Sequence, residues 1–194
     1  MSEAPSSASL TYAEYLAREQ RSDTKHEFLR GEAWAMAGGT PEHGRLAAAL
    51  IRALGNALDG RPCVVYTSDV RVRISESDRS TYPDLSVVCG KRISAPEDPD
   101  AITNPVVLVE VLSDTTEAED RGEKFAHYRR LASLREYVLV SQKAERIEVF
   151  RRDAEGRWTL YESGRGAAFE LVSLGVSVSV DQLYRDPLAG TDGT

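Results

Sequence analysis

V-V-L-V-E-V-L, residues 106–112, is almost continuously apolar, the pattern of a central strand covered on both faces. One carboxylate, Glu110, interrupts it. Upstream, T-Y-P-D-L-S-V-V, residues 81–88, repeats the arrangement, with Asp84 at the entrance of a strand that Leu85, Val87 and Val88 commit to burial. A buried, unpaired carboxylate is destabilising by several kcal/mol or more, roughly, so each acid needs a hydrogen-bond cage, a cation or a metal.

Working outward, S-D-T-T-E after Glu110 is an N-cap cluster that opens a helix over about 117–131, and E-Y-V-L-V-S beyond it is a further buried strand. Before the Asp84 strand, Thr40 and Pro41 fit the N-cap and first helical position of the clearest helix in the chain. Leu46, Leu50, Leu54 and Leu58 form its apolar stripe, and Gly60 closes it. C-V-V-Y-T and V-R-V-R-I read as strands, the second alternating strictly and therefore half-exposed, with Arg71 and Arg73 on one face. The stretch 90–105 reads as a long polar loop. Nearer the N-terminus, Thr11 and Glu14 have capping-box spacing, and H-E-F-L-R-G-E-A-W-A-M-A reads as two short strands folded at Gly31. R-I-E-V-F-R-R, R-W-T-L-Y-E-S and the segment from Phe169 to Val180 form a meander of outer strands. The order helix, strand, strand, strand, helix, strand predicts an α/β domain around a mixed sheet.

Bulk properties set limits. At 194 residues and 41% hydrophobic the chain can fill a sizeable core, and a net charge of -7 argues against a protein that coats nucleic acid non-specifically. Cys63 and Cys89 belong to no C-x-x-C pair, so neither a zinc cage nor a disulfide framework is expected. With no apolar run of transmembrane length and no signal-like h-region, a cytoplasmic protein without membrane contact is expected.

If the Asp84 and Glu110 strands are neighbours, their carboxylates converge, and two oxygen donors suit magnesium or manganese, which keep several waters. The competing reading has Asp84 capping a turn and Glu110 paired with a buried arginine. Lys124, one helical turn before Tyr128, can reach the same carboxylates from the following helix, or else pair with Asp120 on an exposed face. His43 shares a helical face with Leu46 and Leu50, as a core residue or a group of the site, and Glu42 beside it complements the helix dipole.

Taken together, A-M-A-G-G-T-P-E-H, T-Y-P-D-L-S-V-V, L-V-E-V-L-S and D-R-G-E-K-F-A-H-Y-R-R resemble the Uma-type family of predicted bacterial restriction endonucleases, a branch of the PD-(D/E)XK nuclease superfamily. The resemblance implies a restriction-endonuclease-like α/β fold: a mixed sheet flanked by helices, with extra outer strands. That domain spans 10–187, between a disordered segment 1–9 and a flexible tail 188–194. It further implies a metal-dependent endodeoxyribonuclease. Asp84, Glu110 and the Val111 carbonyl would hold Mg2+ or Mn2+, Lys124 would take the place of the E-x-K lysine missing after Glu110, and His43, Glu42 and Tyr128 would support them. DNA is the partner, with Arg71, Arg73 and Arg129, and also Lys91, Arg92 and Arg130, as phosphate contacts, and a homodimer would suit cutting both strands. The alternatives are a non-catalytic nucleic-acid- or protein-binding domain on the same fold, and a metal-free acid/base hydrolase whose sugar cleft would have only Tyr66, Tyr82 and Tyr128 to line it.

Overall fold

The computed structural model describes residues 9–186 and Leu188; apart from Ser9 and Leu188, the segments 1–9 and 188–194 lie outside the described residues. Two six-stranded sheets and a small hairpin carry the fold. The first sheet begins with β1 (His26–Leu29) and β2 (Glu32–Ala35), preceded by helix α1 (Tyr12–Glu19). Thr11 caps α1 through the expected reciprocal box with Glu14. The β1–β2 turn needs left-handed backbone at Arg30 and Gly31, and a Cβ on Gly31 would strike Ser9 Oγ at 1.8 Å.

Helix α2 (Pro41–Ala57) starts at the Thr40 cap, whose hydroxyl accepts from the His43 N–H, and buries Leu46, Leu50 and Leu54. β3 (Cys63–Thr67) follows it, and β4 (Val72–Ile74) and β5 (Arg79–Thr81) pair in the first sheet. β6 (Leu85–Cys89) then enters the second sheet, whose order is β12-β11-β10-β9-β6-β3. There β9 (Val107–Leu112) is central, antiparallel to β6 and parallel to β10 (Glu136–Ser141), and all six of its residues are buried. β11 (Arg146–Arg152) and β12 (Trp158–Gly164) extend this sheet outward as the meander anticipated.

Between them the two faces of this mixed sheet use alternate residues of β9. Val107, Val109 and Val111 pack with the α2 leucines, the hairpin β13 (Ala168–Leu171) and β14 (Val176–Ser179), and helix α5 (Val180–Tyr184). Leu108 and Leu112 face the opposite core with Val72, Ile102, Phe125, Tyr128 and Tyr137. Glu110 lies between Leu108 and Leu112 in the period-two alternation and shares their face. Each buried leucine or valine contributes roughly 1.5–3 kcal/mol, and this pattern fixes the register that carries the acid.

Several expectations are corrected. Residues 90–105 are not one loop: β7 (Ser94–Ala95) and β8 (Asp98–Ile102) extend the first sheet beyond β4, because Ala95, Ala101 and Ile102 are buried and Asp98 is paired with Arg71. The Arg71–Arg73 strand is not half-exposed. Arg73 is buried beside Asp78 and Glu97, because the Tyr12 ring of α1 and the Phe28 ring lie over its guanidinium. The helix over 117–131 is three short pieces, α3 (Glu117–Glu119), a π-helical turn over Asp120–Lys124 and α4 (Phe125–Tyr128). Finally, Cys63 and Cys89 stand directly opposite in the β3–β6 register and form a disulfide, a pairing that depends on strand register and not on spacing along the chain. No helix of the described residues is long and apolar enough to cross a membrane.

Candidate active site

A cleft of about 620 Å³ opens where the C-terminal end of β9, the start of α2 and the β1–β2 hairpin approach one another. Register brings the two strand acids together on its floor. Leu85 pairs with Val109 in the antiparallel β6–β9 ladder, so one step further sets Asp84 opposite Glu110, with both side chains on one face. Two contacts orient Asp84: the Val111 N–H donates to its Oδ2 at 2.7 Å, and His43 Nε2 lies 3.1 Å from the same oxygen. The bond to Asp84 raises the His43 pKa above the ordinary histidine value.

Local structure places His43. Thr40 Oγ1 donates to Gln142 Oε1 at 2.7 Å, and Gln142 Nε2 donates to the Leu112 carbonyl at 2.8 Å, tying the start of α2 to the end of β9. Gly39 leaves space for the imidazole, since a Cβ there would come 3.0 Å from its Nδ1.

Glu110 receives a different set of partners. Tyr128 Oη donates to its Oε1 at 2.7 Å, and Lys124 Nζ lies 3.0 Å from that oxygen. The same ammonium is 3.3 Å from Asp120 and 3.3 Å from Glu27. Asp120 and Lys124 stand four residues apart in the π-helical turn and share one side of it, and both are buried. Burial opposes the ammonium, yet Glu110, Glu27 and Asp120 outweigh it and hold the Lys124 pKa well above the usual lysine value. Burial pushes the Glu110 carboxyl up, against the pull of Lys124, and Asp120 and Asp84 push the same way. The cation that the sequence reading allowed to be a buried arginine is therefore Lys124.

Sequence reasoning missed Glu27 and Asp120. Glu27 comes from β1 of the other sheet, accepts from Thr81 Oγ1 at 2.5 Å and from Arg79 Nη2 at 3.0 Å, and is buried. Burial disfavours its charge, but Lys124 and Arg79 prevail and lower its pKa. Asp120 Oδ1 is buried without a hydrogen bond, and burial raises that carboxyl's pKa. The signal for Asp120 was present as its four-residue spacing from Lys124, read as an exposed pair whereas both residues are buried.

Other predicted residues are not brought to the cleft. Glu42 is held by Arg45 in a two-pronged contact of 2.6 and 2.8 Å and does not line it. Arg71 grips Asp98 through two bonds of 2.9 Å, Arg73 is buried among its own acids, and Arg129 lies over the Phe125 ring. Arg130 pairs with Glu76, while Lys91 and Arg92 are exposed away from the cleft lining.

The donor set fits a hard divalent cation. Two carboxylates face one cleft, the polar contacts of Asp84 use its Oδ2 and those of Glu110 its Oε1, and Asp120 stands beside them with its Oδ1 3.3 Å from the Lys124 ammonium. Among the described residues no group of three or more His, Cys, Asp or Glu forms a cage. Magnesium and manganese need only one or two protein carboxylates and fill the remaining positions with water and substrate oxygens.

Comparison with known proteins identifies the family and the fold. The family model Uma2, described as "Putative restriction endonuclease", matches residues 12–181. Two Synechocystis proteins, "Uncharacterized protein slr1290" and "Uncharacterized protein sll1609", are similar over most of their lengths. The first is 37% identical over 176 residues, 91% of this chain and 92% of its own. The second is 36% identical over 162 residues, 83% of this chain and 92% of its own. A crystal structure from Anabaena variabilis, of "a putative nuclease", has the same fold at a TM-score of 0.68 and 15% identity, covering 84% of this chain and 91% of that one. A match that runs from the start of α1 into α5, and so takes in every strand and every acid of the cleft, places this chain in the Uma2 family.

Proposed function

We propose that this protein is a divalent-metal-dependent nuclease that hydrolyses phosphodiester bonds in DNA at the Asp84, Glu110 and Lys124 centre. The observation that carries the proposal is the convergence of two strand-borne carboxylates and a buried ammonium, delivered from a different element, on one cleft. Asp84 and Glu110 would hold Mg2+ or Mn2+. The Val111 carbonyl is a fitting third donor, because the N–H and C=O of a strand residue point the same lateral way and the Val111 N–H already meets Asp84. When bound, the ion supplies an acidified water and a positive charge beside the phosphate.

The protein's own groups do the rest. Lys124 stays protonated under three carboxylates, so it acts as a fixed positive charge beside the reacting phosphate, and not as the base. Tyr128 fixes the Glu110 carboxylate, while Val111 and His43 fix Asp84. Glu27 and Asp120 hold the ammonium where an E-x-K lysine would otherwise stand. Preorganisation of this kind is worth roughly 100-fold or more in rate per donor removed.

The test is cleavage of linear, plasmid and single-stranded DNA with Mg2+ or Mn2+, with and without a chelator. Wild type should cut only with metal, and Lys124→Ala and Asp84→Asn should each lose roughly 100-fold or more. Strand binding with no cleavage under any metal would favour the non-catalytic binding domain.

A further inference from the structure

The cleft has an aromatic wall that the chemistry above does not use. Trp34 stands directly opposite Glu27 in the β1–β2 register, and cross-strand partners project from one face with Cβ atoms about 5 Å apart. Glu27 is 3.3 Å from Lys124, which is 3.0 Å from Glu110, so the indole adjoins the place where a phosphodiester would be held. The Arg79 guanidinium lies over the indole, 5.7 Å from the ring centroid, and Arg79 is fully buried. The ring is thus backed by a fixed cation, while the half-buried indole still lines the cleft. Gly38 also lines the cleft, and a Cβ there would meet nothing within 4 Å. The other aromatic of the lining, Tyr82, cannot stack on a ligand in this way: it is buried and its hydroxyl is held by Glu19 and Arg71.

Charge narrows what could lie against this wall. Among the described residues no arginine lines the cleft, and its acids include Glu27, Asp84, Glu110, Asp114, Glu119 and Asp120. Its lysines are Lys124, buried under three carboxylates, and Lys143, 2.7 Å from Asp114 and 3.4 Å from Glu117. A duplex followed along both backbones draws its affinity from many free cations, roughly 6–10 phosphate contacts for a well-bound site. A single strand also carries phosphates, but a short unpaired stretch adds to the phosphate term the stacking of a base on an aromatic ring, worth roughly 1–3 kcal/mol per base, which a paired base cannot supply.

We infer that Trp34 is a stacking platform for an unpaired nucleobase beside the reacting phosphate, which makes single-stranded or locally unpaired DNA the preferred substrate. The inference rests on the nuclease reading for its substrate class. Paired bases inside a duplex keep both faces stacked on their neighbours, so only an unpaired or extruded base can offer a face to the indole.

The chain has two tryptophans, so Trp158→Phe leaves Trp34 as the sole indole reporter. In that background a short single-stranded oligodeoxynucleotide and its duplex are titrated in calcium, a cation with the same preference for oxygen ligands. The single strand should quench the fluorescence saturably and bind more tightly than the duplex. Read instead by the anisotropy of a dye-labelled oligodeoxynucleotide, which needs no indole, Trp34→Ala in the otherwise native chain should weaken single-strand binding roughly 5- to 100-fold while remaining folded, and Trp34→Phe should retain most of it. Equal binding and cleavage of single strands by Trp34→Ala and wild type would overturn the stacking role and leave the nuclease reading intact. Trp34-dependent single-strand binding with no cleavage in Mg2+ or Mn2+ would uphold the platform and overturn the nuclease. Duplex binding as tight as single-strand binding would overturn the preference.

Discussion

At the scale of the residue, the decisive feature is one ammonium shared by three buried carboxylates. Lys124 takes the position that would otherwise hold uncompensated charge from Glu110, Glu27 and Asp120. Removing one partner of a buried ionic cluster is destabilising by roughly 3–5 kcal/mol, so Lys124→Ala should show a drop of that size in urea unfolding. Added Mn2+ should recover part of it, because a bound divalent cation neutralises the same acids. A drop below about 1 kcal/mol would mean that the acids are neutral without the lysine. A second buried pair, Asp98 with Arg71, gives its own pH signature. Burial works against the Asp98 carboxylate, but Arg71 and Tyr12 outweigh it and lower its pKa. Its contribution is therefore complete above the unfolded value of about 3.9 and is lost as pH falls through the lower folded value. Asp98→Asn should melt well below wild type at neutral pH, with the gap narrowing below about pH 4. A gap independent of pH would show that Asp98 acts through packing alone.

At the scale of the element, α2 and β9 do the positioning, and both were legible. Thr40, Pro41 and the leucine stripe specify where α2 starts and which face it buries, and the unbroken apolar run of β9 specifies a central strand. Thr40→Ala removes both the cap and the bond to Gln142, and it should lower stability by roughly 1 kcal/mol. The same change should loosen His43, which monitoring its imidazole resonances by NMR would reveal as a lower pKa than in wild type; an unchanged pKa would show that the cap does not orient the ring. What was not legible depended on partners distant in sequence. H-E-F-L looks like any short half-exposed strand, and only Arg79, Thr81 and Lys124 make a buried carboxylate tolerable at Glu27. β7 and β8 are short and carry Pro99 and acids, and they form because β4 offers an edge and Arg71 a counter-charge. The π-helical turn was hidden as well, since nothing local in D-R-G-E-K distinguishes it from an ordinary helix whose lysine points to solvent.

At the scale of the whole molecule, the candidate centre is a joint product of two sheets. The second sheet supplies Glu110 and, at the mouth of β6, Asp84, while the first supplies Glu27 and Arg79, and α2 and the π-helical turn close the arrangement with His43 and Lys124. The sequence pattern anticipated one mixed sheet because the strands of the first sheet are short and polar, so their apolar residues are too few to announce a second layer. The two acids, by contrast, were readable as anomalies inside apolar strands, and the structure sets them on the same face. The measurement that tests the central claim most directly is calorimetric titration of Mn2+ into wild type, Asp84→Asn and Glu110→Gln, with folding of each variant verified by circular dichroism. Binding by wild type that both substitutions abolish is the predicted result. Wild-type binding that survives both substitutions, or no binding even with a single-stranded oligonucleotide present, would contradict a metal centre at these carboxylates.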